Sequence, residues 1–295
     1  MQKITPFLWF DHQAEQASHF YTSVFRNSSL GTVSYYAEHG PGPVGGVMTV
    51  SFELEGLQFT ALNGGPVFNF TPAVSFFVSC ATKHEIYELW VKLSENGSIL
   101  MPLDNYPFSD KFGWVADQFG INWQLNLGKR AQKIAPFLMF VGQQHGRAEE
   151  AIKLYTSLFD KSSINQITRY GPGMDGQPGM VMHAIFQLAG IEFMAMDSQF
   201  EHQFAITEAI SNFVRCASQE EVDYFWDRLG EGGDENAQQC GWLKDRYGVS
   251  WQIVPSVLFE LLNDPDPTKA SRVTQAMLKM KKIEIDGLLE AYAQS

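Results

Sequence analysis

Cysteine is scarce in this sequence, with three residues (Cys80, Cys216 and Cys240) among 295. Three thiols without a CxxC pair supply neither a disulfide framework nor a zinc knuckle. Positive charge is short as well. Lys and Arg number 21 against 33 Asp and Glu, a formal net charge of -12. No basic stripe offsets that field, so a phosphate backbone would be repelled and nucleic acid is excluded as a partner. No run reaches the roughly 18 uninterrupted apolar residues of a membrane-spanning helix. The opening residues carry Lys3 and Asp11 around a short apolar stretch, which does not suit a signal peptide. A soluble, cytoplasmic protein with no membrane partner is expected. Nucleotide cradles are missing too. The Gly/Pro segments 40–43 and 171–179 have no Lys-Ser/Thr after them and join strand to strand. They read as lips over a cavity or as plain connectors.

What is present is a large apolar supply, 45% of the residues, and a repeat. Lys3-Ile4-Thr5-Pro6-Phe7-Leu8-Trp9-Phe10 returns as Lys133-Ile134-Ala135-Pro136-Phe137-Leu138-Met139-Phe140. Tyr21-Thr22-Ser23-Val24-Phe25 returns as Tyr155-Thr156-Ser157-Leu158-Phe159, and Gly113-Trp114 through Trp123-Gln124 returns as Gly241-Trp242 through Trp251-Gln252. The offset drifts by a few residues, as loop insertions between equivalent elements require. The chain therefore divides into a first domain over 1–130, a second over 131–255 and a helical tail over 256–295.

Periodicity within the first repeat predicts a strand over 4–10, a helix over 14–25, and strands at 32–37, 47–55 and 57–63. A strand at 73–80, a helix over 83–95 and short strands at 99–101, 113–117 and 121–127 complete it. Glu55-Gly56 predicts a tight hairpin turn, and Asp117-Gln118-Phe119-Gly120 a type I turn closed by a left-handed glycine. Each repeat thus holds two βαβββ modules, four in the chain, an α+β class of fold.

With these residues the chain resembles the glyoxalase / bleomycin resistance / extradiol dioxygenase (vicinal oxygen chelate) superfamily. Within it, the chain is most similar to the PhnB-like group labelled 3-demethylubiquinone-9 3-methyltransferase. Ile134 to Phe140, Met182-His183-Ala184-Ile185-Phe186 and the run Cys240 to Pro255 carry that resemblance. It implies tandem paired βαβββ modules, each pair curling into a half-open barrel around a ligand. Metal-dependent members carry ligands early in the first strand of a module and late in the last. The corresponding positions here are Pro6, Pro136, Ala73, Ala209, Gln124 and Gln252. Proline and alanine side chains do not ligate, and glutamine is a weak neutral ligand. A metal-free small-molecule binding protein is expected, with no cofactor. The alternative is a lyase, isomerase or dioxygenase with a relocated divalent ion near His183. Methyl transfer is argued against by the residues, because Phe10 is followed by Asp11-His12-Gln13-Ala14-Glu15 and not by a glycine-rich turn.

Strand alternation nominates the ligand-facing groups. Asn122 and Gln124 share one face of their strand, Ser250 and Gln252 one face of the equivalent strand, and Thr49 and His183 occupy matching positions. His183 is the one weak catalytic candidate. It is a ring satisfied by a carbonyl or by a strand partner such as Gln252, a ligand contact or acid–base group, or a metal ligand. With Arg215 replacing Ser79, it leads us to expect binding in the second copy, with a pH dependence at roughly 6 to 7. Trp90 and Trp226, Trp114 and Trp242, and Trp123 and Trp251 recur in pairs, which predicts core packing. In the tail, Asp266 should cap a helix beginning at Pro267. The apolar stripe Ala270, Val273, Met277, Met280 and the later Ile283, Leu288, Leu289, Tyr292 would pack on the protein's own sheet or form a homodimer.

Overall fold

The computed structural model describes residues 2–37 and 40–294. The order βαβββ runs four times along the chain. Module one comprises β1 (Ile4–Phe10), α1 (Ala14–Val24), β2 (Ser28–Tyr35), β3 (Val47–Leu54) and β4 (Leu57–Asn63). Module two comprises β5 (Val74–Cys80), α2 (Lys83–Ser94), β6 (Ser98–Tyr106), β7 (Ser109–Ala116) and β8 (Asn122–Leu127). Module three comprises β9 (Ile134–Phe140), α3 (Ala148–Leu158), β10 (Ser163–Arg169), β11 (Val181–Leu188) and β12 (Ile191–Asp197). Module four comprises β13 (Ile210–Cys216), α4 (Gln219–Gly230), β14 (Asp234–Gln239), β15 (Trp242–Lys244) and β16 (Ser250–Pro255). The tail adds α5 (Ser256–Leu262), α6 (Pro267–Met277) and α7 (Ile285–Ala293). None of the described helices is long and apolar enough to cross a membrane.

The turns form as their residues dictate. Glu55 and Gly56 both take positive φ, at 51° and 86°, which matches the twist of the hairpin they close. Gly120 sits at φ 89° and its N–H donates to the Asp117 carbonyl at 2.9 Å. The Asp117 carboxylate accepts the N–H groups of Phe119 and Ile121 and the Trp123 indole. Asp245 repeats the arrangement with Tyr247, Val249 and Trp251, and also accepts the Tyr155 hydroxyl at 2.6 Å.

The modules pair differently from the expected scheme, in which each repeat closes its own barrel. One eight-stranded sheet runs β14-β15-β16-β13-β1-β4-β3-β2 and joins modules one and four. The other runs β10-β11-β12-β9-β5-β8-β7-β6 and joins modules two and three. We call them the terminal and central sheets. The joins are antiparallel pairings of first strands, β1 on β13 and β5 on β9. The crossovers between the sheets meet and bond reciprocally: Thr71 donates to the Ala205 carbonyl at 2.7 Å and Thr207 to the Asn69 carbonyl at 2.8 Å. These symmetric contacts between the two crossovers lock the exchanged pairing.

The main core lies on the helix-bearing faces. Tyr21 on α1 stacks on Phe52 of β3 and meets Trp123 of β8 edge-on at 5.5 Å, so α1 is wedged between the two sheets. Tyr155 on α3 meets Trp251 of β16 in the same way at 5.1 Å. Trp123 and Trp251 are fully buried, as the paired recurrence predicts. On β1 the core-facing residues are Ile4, Pro6, Leu8 and Phe10, and on β9 Ile134, Pro136, Leu138 and Phe140. The concave faces are set by the alternate residues.

The tail caps one of those concave faces. Asp266 accepts the Thr268 N–H and Pro267 opens α6, as its sequence signals. Val273, Ile283 and Leu288 are fully buried and form a separate cluster with Phe213, Val254, Leu258 and Leu261. Met277, Met280, Tyr292 and Phe7 of β1 pack against it. Val273, Met277, Met280, Ile283, Leu288 and Tyr292 are thus packed within the chain on the terminal sheet, while Leu289 is exposed.

Candidate functional site

The exchanged pairing distributes the nominated residues between two concavities. Asn122 and Gln124 on β8 face the central concavity with His183 on β11. Ser250 and Gln252 on β16 face the terminal concavity with Thr49 on β3. The expected partnership of His183 with Gln252 is therefore corrected: they belong to different sheets. Arg215 and His183, read as joint features of one copy, are separated for the same reason.

In the central concavity, three neighbouring strands present a polar stripe. Gln124 donates to the Ser75 hydroxyl of β5 at 2.9 Å. Trp114 on β7 pairs directly opposite Gln124, so its indole faces the concavity, not the core as its recurrence suggested. Asn122 donates to the Gly120 carbonyl at 3.1 Å. Three buried polar atoms here have no partner: the Trp114 indole nitrogen, the Asn122 side-chain oxygen and the Ser79 hydroxyl. Leaving such groups desolvated and unbonded costs about 1–3 kcal/mol each. Around them lies an apolar lining of Ala135, Phe137, Met139, Ile185 and Met194, with Phe77, Trp114 and Phe204 against it.

His183 stands at one side of this lining, half-buried, with its ring tilted 6.0 Å from that of Phe137. Burial and the nearby Arg130 guanidinium lower its pKa, and Glu192 acts against them. Burial and the guanidinium thus both favour the neutral ring over the imidazolium. Arg130 grips Glu192 through two hydrogen bonds of 2.7 and 2.8 Å, so the charges beside His183 neutralise each other. Asp197, on the opposite face of β12, accepts the N–H groups of Gly146, Ala148 and Val181 and holds the start of α3.

The terminal concavity is built differently. Gln252 donates to the Ser211 hydroxyl of β13 at 2.9 Å, the counterpart of the Gln124–Ser75 bond. Thr49 shares a hydrogen bond with Ser34. Phe7 stacks on Phe213 and meets Trp242 edge-on at 5.7 Å, and Trp242 meets Trp9 at 5.7 Å. Ser250 lies opposite Lys244, whose amine pairs with Glu208 at 3.1 Å.

Among the described residues the positions assigned to metal ligands carry no carboxylate, imidazole or thiolate. Pro6 and Pro136 point into the core, so the register assigned to the first ligand position shifts by one residue. The concave positions on those strands are Thr5, Phe7, Ala135 and Phe137. Gln124 and Gln252 each donate an amide N–H to a serine, and among the described residues no three His, Cys, Asp or Glu side chains converge. Cys80 and Cys216 are buried with their thiols pushed up to about 12, which leaves them unreactive at neutral pH. The Gly/Pro segments are laid against aromatic rings: a side chain at Gly42 would strike Tyr36, and one at Gly176 would strike Tyr170.

A cleft of about 840 Å³ lies outside both concavities, lined by Lys3, Phe159, Lys161, Glu221 and Phe225 among others. Lys3 on its wall is engaged with Glu221 and with the Arg215 carbonyl. Its walls carry none of the unpartnered buried atoms. The central concavity is the stronger candidate for these reasons.

Comparison with known proteins assigns the architecture to a family. The model described as 3-demethylubiquinone-9 3-methyltransferase matches twice, over residues 2–126 and 132–254. The chain belongs to this family. A Bacillus cereus structure titled putative 3-demethylubiquinone-9 3-methyltransferase, PhnB protein, is 47% identical, matching 43% of this chain and 100% of its own, with a TM-score of 0.41. A Staphylococcus aureus protein structure is 36% identical over 44% of this chain and 98% of its own, with a TM-score of 0.19. Glyoxalase I from Zea mays shares the fold across 84% of this chain and 89% of its own, at 11% identity and a TM-score of 0.55. No curated protein matches the chain. This is a PhnB-like protein of the glyoxalase (vicinal oxygen chelate) fold. Ser79, Trp114 and Arg130 were not among the residues nominated from sequence; strand parity relative to Gln124 was the available signal for Trp114.

Proposed function

We propose that this family member binds a small, neutral, amphipathic molecule in the central concavity, using protein groups alone and no metal ion. The observation that carries the reading is the trio of buried, unpartnered atoms at Trp114, Asn122 and Ser79, which side chains of the lining must uncover as the ligand enters. They offer a donor, an acceptor and a hydroxyl able to do either, beside an apolar lining that suits the ligand's body. Neutrality follows from the paired Arg130 and Glu192 and from the lowered pKa of His183. Methyl transfer has no place in this reading, because neither mixed sheet is a doubly wound parallel sheet with a glycine-rich turn.

The test is native mass spectrometry of freshly purified wild type and Trp114→Phe, with metal content measured in parallel. Wild type should retain a neutral small molecule. The variant, lacking one hydrogen bond, should bind it about tenfold more weakly. A stoichiometric divalent ion, or equal retention by both proteins, would overturn the proposal.

A further inference from the structure

By pseudo-symmetry the tail lies on the terminal sheet where a ligand would lie on the central sheet. Its apolar cluster is separate from the main core, so it can be lost without opening the helix-bearing faces. The tail adds no strand to either sheet. Its polar ties run to the rim: Cys240 and Gly241 donate to the carbonyls of Met280 and Lys281, the Ile285 N–H donates to Gln219, and Lys282 pairs with Asp223. Helix α7 is bound to α6 through Arg272, which donates to the Ala291 and Tyr292 carbonyls, so these two helices form one body.

Against α5, the first helix of the tail, sits a cation without a carboxylate. Arg215 occupies the position of Ser79, and no ion pair among the described residues involves it. Its guanidinium lies 4.9 Å from the ring centroid of Phe259 on α5 and 6.0 Å from that of Phe213. Such a group on an aromatic floor favours a ligand with a ring and a negative charge. We propose that the tail is a displaceable occupant of the terminal concavity, in competition with an aromatic anion. The ring of that anion would lie on Phe7, Phe213 and Trp242, and its charge would pair with Arg215. The inference rests on the reading of the concave faces as ligand faces.

The probes are 1-anilinonaphthalene-8-sulfonate, an aromatic anion, and 1-aminoanthracene, a neutral ring, with the full-length protein. Hydrogen exchange should show the anion speeding exchange of amides in 283–293 by about threefold or more while slowing those of β13 and β16. Arg215→Met keeps an apolar stem. It should weaken the anion about tenfold and leave the neutral ring within about twofold. Unchanged or slowed tail exchange, or an Arg215→Met protein that binds the anion as wild type does, would overturn the proposal. Trp114→Phe separates the two readings. If anion binding falls with Trp114→Phe and not with Arg215→Met, the terminal site is refuted and the central one stands.

Discussion

Asp117 and Asp245 should make the protein more stable at pH 5 than at pH 7. Each is buried beneath its turn, and burial raises its pKa to about 6 against the donors that surround it. A carboxyl raised in the folded state binds its proton more tightly there than in the unfolded chain. Its stabilising contribution is therefore full at low pH and is lost as pH rises through the folded value. Integrating between pH 5 and 7, with folded and unfolded values of about 6 and 3.8, gives about 1 kcal/mol per aspartate. His183 and His202 have lowered pKa values and act in the opposite sense as pH falls. The variant comparison removes their effect. Urea unfolding of wild type, Asp245→Asn and the double variant Asp117→Asn/Asp245→Asn at both pH values is the assay. Relative to wild type, the pH 5 advantage should shrink by about 1 kcal/mol in the single variant and about twice that in the double. An Asp245→Asn protein with the wild-type pH dependence would show that its donors cancel the effect of burial, and the reasoning would fail.

Lys133 bonds both Glu55 and Glu85, and the Glu55 side chain is only 5% exposed. Lys133→Met should cost about 3–5 kcal/mol, and adding Glu55→Gln should recover much of it, read from urea midpoints. Leu288→Ala removes a fully buried side chain from the tail cluster and should cost about 2–5 kcal/mol. Hydrogen exchange should place that loss in the tail before the sheets. Gln252→Glu puts a carboxylate in the terminal concavity, so any zinc affinity it creates should be unchanged by His183→Thr. Calorimetric coupling between the two substitutions would contradict the exchanged module pairing.

The fold was legible because its signals are local. Glu55-Gly56, Asp117 to Gly120 and the alternation in β3, β4 and β8 each act over a few residues, and the duplication states them twice. The edge strands were less legible. β2 begins at Ser28, not near 32, and β6 runs from Ser98 to Tyr106, well beyond 99–101. Both are paired through backbone on one side and largely exposed, so their side chains carry little of the burial pattern from which a strand is read. Asn122, Gln124, Ser250 and Gln252 lie opposite the core-facing residues of their strands, as alternation expects, because parity within a strand needs no tertiary information. Which strands share a concavity is a different kind of fact. It is decided by the β1–β13 and β5–β9 pairings, each between modules of different repeats, and either pairing scheme satisfies the same module sequence. Only the residues at the joins and crossovers distinguish the schemes, and Thr71 and Thr207 act there through hydroxyl-to-carbonyl bonds that leave no periodic trace. The same ambiguity displaced the site. His183 keeps its place on the concave side of β11 in either scheme, but the schemes differ in whether it faces Gln252 or the stripe of Trp114, Asn122 and Ser79. The chemistry of each strand is thus written in its own residues, and the composition of each concavity is set by the long-range pairing of modules.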